Sequence, residues 1–357
     1  MRYCTLILIL LSSLLHAEPE RYYHQVPANE DSGPFIPAFA SGPIGSNTKK
    51  KKTALLVFHG RGYESSYTYD TIYKRLGDLG LEERIYLMAP QFFSRERGIE
   101  NPWIPGLLVW SNEWWRYGSI SSGYLGPDAR LVRADISSFA VVDKIIADLK
   151  KWNADTLKNL VLFGFSAGGQ LVQRYSVYGK GDEAGSREVR IIYVVASPAS
   201  FMYVNPCRIG RSETSLDATK VQPTSSPKHF DDFPYGLSNI DGLDDQGATI
   251  CRYFFDARST RNEIIQRFPQ REVHYFVGDR DLTQGGFDAT PPAMAQGVSR
   301  LERAKNFYKN LQNKYGINLK HRLHIVEGAD HDVQKIVQSE AWGRLISEIQ
   351  DSKSNRP

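Results

Sequence analysis

The feature of this sequence that most restricts its fold is a serine flanked by glycines, where an apolar run meets a helical pattern. The run 159–165 (NLVLFGF) is typical of a buried strand, and a helical pattern covers 168–178. Gly164 and Gly168 permit a tight turn from strand to helix that a Cβ would obstruct. The pattern predicts that Ser166 stands clear of the sheet beside the Ala167 amide; a serine that merely caps an ordinary helix is the alternative.

Short apolar runs alternate with amphipathic stretches from residue 53 onward. The predicted strands are 54–58, 84–90, 159–165, 189–196, 272–278 and 322–328. The predicted helices are 67–79, 137–152, 168–178, 293–314 and 332–350. Continuous apolar runs of this kind suit buried parallel strands, and the alternation indicates an α/β domain with helices on both faces of a mostly parallel central sheet.

Two long stretches interrupt this alternation. Residues 91–136 contain four of the six tryptophans, and residues 198–270 are rich in Pro, Asp, Ser and Gly. Long insertions in a compact domain commonly form lids or pocket walls, so 198–270 is predicted to be an inserted cap. We expect one large domain over 53–357, preceded by an extended segment over 18–52 whose prolines give it no core of its own.

The first seventeen residues have the pattern of a secretory signal peptide. The apolar run 6–15 is too short to span a membrane, which takes about 20 residues, and a small-residue ending follows it at Ala17. We therefore expect a secreted or periplasmic protein without stable membrane insertion.

Cys207 and Cys251 remain after removal of 1–17, and in an exported chain they predict one disulfide; two separate buried thiols are the alternative.

Composition excludes several other classes of protein. The chain has 44 basic and 40 acidic side chains among 357 residues, a balance that does not suggest a nucleic-acid partner. Hydrophobic residues make up 41% of it, which argues against intrinsic disorder. HExxH and CxxC patterns are absent, so we predict neither a metal nor another cofactor.

A serine hydroxyl is a poor nucleophile unless a base takes its proton, so a histidine and an orienting carboxylate are needed. His331 follows a predicted strand and precedes the last helix, where a loop side chain can reach the edge of the sheet. His274 and His324 lie inside predicted strands, and His229 and His321 are weaker alternatives. The acid should follow the preceding strand: Asp281 is preferred over Asp279 because the loop needs a few residues to turn back.

The chain order Ser166, Asp281, His331 is that of α/β-hydrolases, and residues 53–350 resemble an α/β-hydrolase-fold serine hydrolase. They are further similar to a little-characterised bacterial and fungal branch in the SAGGQ of 166–170, the Arg174-Tyr175 pair, the QGVSRLERA of 296–304 and the closing GADHD of 328–332. The resemblance implies this fold and a Ser-His-Asp triad, but this branch has no settled substrate.

The resemblance also implies an oxyanion hole that contains the Arg61 amide together with that of Ala167, with Gly62 as the alternative donor. His59 is interpreted as structural, since its strand-end position suits a hydrogen bond that shapes this loop.

The predicted reaction is hydrolysis of a small-molecule or polymer carboxylic ester. The same residues serve amide hydrolysis and acyl transfer, and a catalytically silent binding protein is the alternative from another class. Trp110, Trp114 and Trp115 are predicted to bind a bulky apolar or aromatic part of the substrate; local packing of a long loop is the other interpretation.

Overall fold

The computed structural model describes residues 22–28, 33–43, 51–62, 65–95, 104–126, 128, 130–153, 156–184, 189–209, 230–238, 253, 261–282 and 286–352. The strands of its main sheet are β1 (Tyr22–Pro27), β2 (Phe35–Ala40), β3 (Thr53–Phe58), β4 (Ile85–Pro90), β9 (Asn159–Phe165), β10 (Arg190–Ala196), β11 (Glu272–Gly278) and β12 (His321–Val326). A smaller sheet contains β5 (Phe93–Ser94), β6 (Leu108–Trp110), β7 (Gly123–Leu125) and β8 (Leu131–Val132).

The main sheet has the order β1-β2-β4-β3-β9-β10-β11-β12. The pairs β1·β2 and β2·β4 are antiparallel, and the pairs from β4 to β12 are parallel. Successive side chains of β3 pack into the hydrophobic cores on opposite faces of the sheet. Ala54 and Leu56 lie on one face, and Leu55 and Val57 lie on the other. Both faces are therefore covered, as the continuous apolar runs predicted.

The helices are α1 (Ser65–Asp78), α2 (Ser138–Trp152), α3 (Ala167–Tyr178), α4 (Arg261–Arg267), α5 (Pro291–Met294), α6 (Arg300–Tyr315), α7 (Val333–Gln338) and α8 (Glu340–Asp351). Short 3₁₀ segments cover Phe268–Gln270 and Gly316–Asn318, and Ser111–Tyr117 contains 3₁₀ turns interrupted at Asn112 and Glu113, which have positive φ. Buried residues of α1, α7 and α8 pack on one face of the sheet, and those of α2, α3 and α6 on the other. This is the α/β-hydrolase arrangement predicted from the sequence.

All six predicted strands are confirmed, and so are the helices near 67–79, 137–152 and 168–178. The other two predicted helices are each divided in two. Between α5 and α6, Gly297 has φ of 146° and Ser299 caps α6 by accepting a hydrogen bond from Glu302. Between α7 and α8, Ser339 has an extended backbone and accepts from Trp342. In both places the apolar spacing continues along the sequence, but the backbone leaves the first helix and a serine caps a second one.

The prediction that 18–52 contributes no core is wrong for the described part of that segment. Strands β1 and β2 form a hairpin that extends the main sheet beside β4, and Val26, Ile36 and Ala38 are fully buried. Prolines are typical of loops, but a proline can also occupy a strand where no ladder hydrogen bond needs its nitrogen. Pro37 precedes the stretch of β2 that pairs with β4, which begins at Ala38.

The insertion 91–136 has its own structure, the small sheet β5–β8 and the 3₁₀ segment Ser111–Tyr117. Much of 198–270 lies outside the described residues, as do the predicted signal peptide and Cys251. Cys207 is exposed, and its predicted partner lies outside the described residues, so the disulfide stays a prediction. No helix in the described part of the chain is both long and apolar enough to cross a membrane.

Candidate active site

Ser166 occupies the turn between β9 and α3 in a strained conformation, with φ of 56° and ψ of −111°. A non-glycine residue at positive φ is uncommon, and backbone strain of this kind is found most often at functional sites. The turn is tight because backbone approaches backbone: a Cβ on Gly164 would lie 2.1 Å from the Gly168 oxygen. The Ser166 amide donates to the Ala196 oxygen at 2.9 Å, which ties the turn to β10. The Ser166 side chain is half-buried at the carboxyl edge of the sheet, as the pattern predicted.

His331 lies between Ser166 and Asp281. Its Nε2 is 3.0 Å from Ser166 Oγ, and its Nδ1 is 3.0 Å from Asp281 Oδ2. With the proton on Nδ1, the ring donates to the carboxylate and accepts from the serine hydroxyl. The ring also stacks on Phe165 with centroids 4.7 Å apart, so both its position and its tilt are held. The imidazole can therefore take the serine proton without first moving.

Asp281, and not Asp279, is the carboxylate that contacts His331. It is fully buried, and its Oδ1 lies 3.4 Å from Nη1 of Arg300. The backbone amide of Asp279 instead donates a hydrogen bond to the backbone oxygen of Val326 at 3.0 Å. Arg280 lies between them and donates its backbone amide to the Ala329 oxygen at 2.9 Å, which holds the end of β11 against the loop after β12.

Three other histidines, His274, His321 and His324, form hydrogen bonds within β11 and β12 and not with Ser166. His274 and His324 stack on each other between β11 and β12, with ring nitrogens 3.1 Å apart. His321 accepts from or donates to the Tyr275 hydroxyl at 3.0 Å and contacts the Phe268 oxygen. Burial lowers the pKa of His321 and of His324 to about 4, which keeps them neutral near pH 7. His229 lies outside the described residues.

The loop after β3 passes directly over the serine. A Cβ on Gly60 would lie 3.6 Å from the Ser166 Cβ, so the backbone there is within reach of a group bound to Ser166. His59 shapes this loop: its Nδ1 donates to the Gly60 oxygen at 2.7 Å, and its Nε2 accepts from the Phe92 amide at 3.0 Å. Burial lowers the pKa of His59 to about 4, so it is a neutral structural group.

Two cavities meet at Ser166, and Arg61 and Gly286 also border both. The first has a volume of about 470 Å³ and is lined also by Ala167 and Trp114. The second has a volume of about 300 Å³ and contains His331. A substrate whose reacting carbon sits at Ser166 can therefore extend in two directions.

The wall of the first cavity carries several charged side chains beside its apolar ones, which the sequence did not reveal. Glu113 accepts from Arg61 Nε at 2.9 Å and from Arg116 Nη1 at 3.2 Å. Asp288 accepts from the Tyr235 hydroxyl at 3.0 Å. Glu113 has φ of 61°, a second strained residue at this site. These groups come from four separate segments of the chain, so no local pattern could have brought them together.

The three tryptophans do not share one role. Trp114 is partly buried and lines the first cavity, with its ring edge-on to Tyr117 at 5.8 Å. Trp110 and Trp115 are fully buried in the core, where both pack against Phe92. The expectation that all three contact substrate is wrong for Trp110 and Trp115, because neither side chain is accessible.

Among the described residues no group of three or more His, Cys, Asp or Glu side chains could hold a metal ion.

Comparison with known proteins gives likeness of structure only. No protein-family model matches the chain. No curated protein matches it either. Its fold is similar to that of poly(aspartic acid) hydrolase-1 from Sphingomonas sp. KT-1, with TM-score 0.58 and 17% identity over 93% of this chain and 100% of that one. It is also similar to LpqC, the poly(3-hydroxybutyrate) depolymerase of Bordetella parapertussis, with TM-score 0.56 and 17% identity over 93% of this chain and 89% of that one.

Proposed function

This chain has the α/β-hydrolase fold, and from that premise we propose that the protein is a serine hydrolase that cleaves carboxylic esters. The observation that carries the proposal is the continuous chain of contacts from Ser166 through His331 to Asp281, each 3.0 Å long. The strained turn at Ser166 and the loop that passes over it support the same reading. A protein that only binds a ligand has no need of all these features.

The reaction proceeds through an acyl-enzyme. His331 Nε2 takes the Ser166 proton as Oγ attacks the ester carbon, and Asp281 stabilises the imidazolium that forms. The backbone amides of Arg61 and Ala167 donate to the oxyanion of the tetrahedral intermediate. His331 then returns its proton to the leaving alcohol, and a water molecule repeats the sequence to release the acid and restore Ser166.

The proton route assigns the two sides of the substrate. The leaving oxygen must receive its proton from His331, so the alcohol part belongs in the cavity that His331 lines. The acyl part then belongs in the larger cavity beside Trp114, which offers an aromatic face together with the Arg61–Glu113–Arg116 group. An acyl group that combines a flat or bulky apolar part with polar substituents fits this wall better than a plain alkyl chain.

A second candidate reaction is amide hydrolysis by the same residues, because one of the two similar structures is a poly(aspartic acid) hydrolase and the other a poly(3-hydroxybutyrate) depolymerase. Parallel assays with an ester and the matching amide of one acyl group separate the two candidates. A larger kcat/KM for the ester supports the proposal, and a larger value for the amide favours the second candidate.

A fluorophosphonate probe tests the proposed function most directly, because it labels an activated serine without any guess about the substrate. The wild type should be labelled at Ser166, and Ser166→Ala should abolish both labelling and ester turnover while circular dichroism stays unchanged. Ser352→Ala, at the end of α8, is the matched control and should be labelled like the wild type. Labelling that survives in Ser166→Ala would overturn the proposal.

We also propose that the protein is exported and that Cys207 pairs with Cys251. The apolar run 6–15 and the even number of cysteines after residue 17 support this. Non-reducing peptide mass spectrometry of exported protein should find the two cysteines in one linked peptide pair, and two free thiols would contradict the pairing.

A further inference from the structure

The QGVSRLERA stretch, residues 296–304, buries three long polar side chains that the proposed reaction does not use directly. Gln296, Arg300 and Arg303 are each at most 1% exposed. Gln296 exchanges hydrogen bonds with the backbone of Phe201, at 2.8 Å each way. Arg303 donates to the backbone oxygens of Gly297, Ala199 and Asp288. These two side chains join loops to one another through backbone oxygens and amides.

Arg300 differs because it reaches a carboxylate. Its Nη1 lies 3.4 Å from Asp281 Oδ1, and its Nη2 donates to the Gly286 oxygen at 3.0 Å. The two oxygens of Asp281 are thus divided between Arg300 and His331. The backbone amide of Leu301, the next residue of α6, donates a hydrogen bond to the backbone oxygen of Asp281 at 3.4 Å. The start of α6 is therefore attached to Asp281 through both a side chain and the backbone.

We propose that Arg300 is a positioning residue, which holds Asp281 and sets the pH range in which His331 works as a base. This rests on the proposed function. Arg300 is charged at every working pH, and it shares the negative charge of a carboxylate that has no contact with water. Without the guanidinium the whole carboxylate charge would act on the imidazolium, and His331 would keep its proton to a higher pH. The carboxylate would also lose one of the groups that fix its orientation.

Several charged or titratable groups surround His331 in the described chain, and they must be separated from Arg300. They are Asp281, Arg300, Arg61, Tyr67, Asp330 and Asp332. Arg61 is paired with Glu113, and Asp330 with Lys335 at 2.9 Å. These groups remain in place when Arg300 is changed, so their effects cancel when the variant is compared with the wild type.

The test is the pH dependence of kcat/KM for an ester, with the rate of fluorophosphonate labelling as a second readout. Arg300→Met should move the acid limb to higher pH by about one unit and lower the maximal kcat by about tenfold to a hundredfold. Arg300→Lys keeps the charge and should leave the acid limb within about 0.3 unit of the wild type. Arg303→Met is the matched control: it can lower stability, but its acid limb should stay where the wild type has it, because Arg303 donates to backbone oxygens.

The double variant Arg300→Met/Asp281→Asn keeps the test decisive if Arg300→Met does not fold, because it leaves no unpaired buried carboxylate. Arg300→Met should produce no further shift of the acid limb in the Asp281→Asn background. An unmoved acid limb in Arg300→Met, or a shift of the acid limb when Arg300→Met is added to Asp281→Asn, would overturn the inference, while a labelled wild type leaves the proposed function standing. A wild type that the probe does not label would instead refute the proposed function.

Discussion

Gly168→Ala should move the two proposed oxyanion donors, the backbone amides of Arg61 and Ala167, away from each other. Gly168 lies where α3 packs against the end of β3. A Cβ at Gly168 would lie 2.1 Å from the Phe58 oxygen and 2.7 Å from the His59 oxygen. Ordinary van der Waals contact begins at 3.4 Å, so backbone must move by at least 1.3 Å, the difference between 2.1 and 3.4 Å. Both contacted oxygens belong to backbone that leads directly to Arg61, and Ala167 adjoins Gly168.

A displacement of that size is larger than a hydrogen bond to the oxyanion tolerates. Loss of one donor costs about 3 kcal/mol of transition-state stabilisation, or roughly a hundredfold to a thousandfold in kcat. The overpacked contact should also lower the free energy of unfolding by about 1–3 kcal/mol. Because the walls of the cavities lie farther from the new methyl group, KM should change much less than kcat.

The assay is kcat and KM for a chromogenic ester, combined with urea unfolding of the same samples. Gly77→Ala is the matched control, since a Cβ there meets nothing within 4 Å and Gly77 lies inside α1. The control should keep its kcat and gain about 0.5–1 kcal/mol of stability from helix propensity. A folded Gly168→Ala with kcat within threefold of the wild type would refute the reasoning.

Three further predictions concern the acid, the pocket wall and a buried carboxyl. Asp281→Asn should lower kcat by about 10⁴-fold and Asp279→Asn by less than about tenfold in steady-state assays; the reverse ranking would move the acid to Asp279. Trp114→Ala should lower kcat/KM about tenfold more for an aromatic acyl ester than for an acetate ester, and equal losses on both esters would show that Trp114 does not contact the acyl group. Trp115→Ala should instead lower the free energy of unfolding by about 3–5 kcal/mol, because its side chain lies in the core. Burial raises the pKa of Asp143 to about 6, so the folded state favours its protonated form, and this stabilisation is lost as pH rises through about 6. Urea titrations from pH 4 to 7 should show the wild type losing stability relative to Asp143→Asn as pH rises, and a constant difference would contradict the assignment.

Local sequence determined the parts of the site that need only neighbouring residues. An apolar run followed by GFSAG can turn from strand to helix in few ways, so Ser166 and the adjoining Ala167 amide were predictable from a dozen residues. The strand–helix alternation likewise predicted the sheet, because burial on both faces requires continuous apolar runs. His331 and Asp281 were found in the same manner, as polar residues just beyond the ends of strands.

Only the tertiary structure decided the contacts between segments distant in sequence. Trp110, Trp114 and Trp115 belong to one short stretch, yet the fold buries two of them and leaves the third on a cavity wall. The first hairpin has proline-rich composition, and it becomes core because β4 offers β2 an open edge. Arg300 gave no local sign that it would meet Asp281, 19 residues away. A sequence pattern records which face of an element is apolar, but the partner of that face depends on how all the elements pack together.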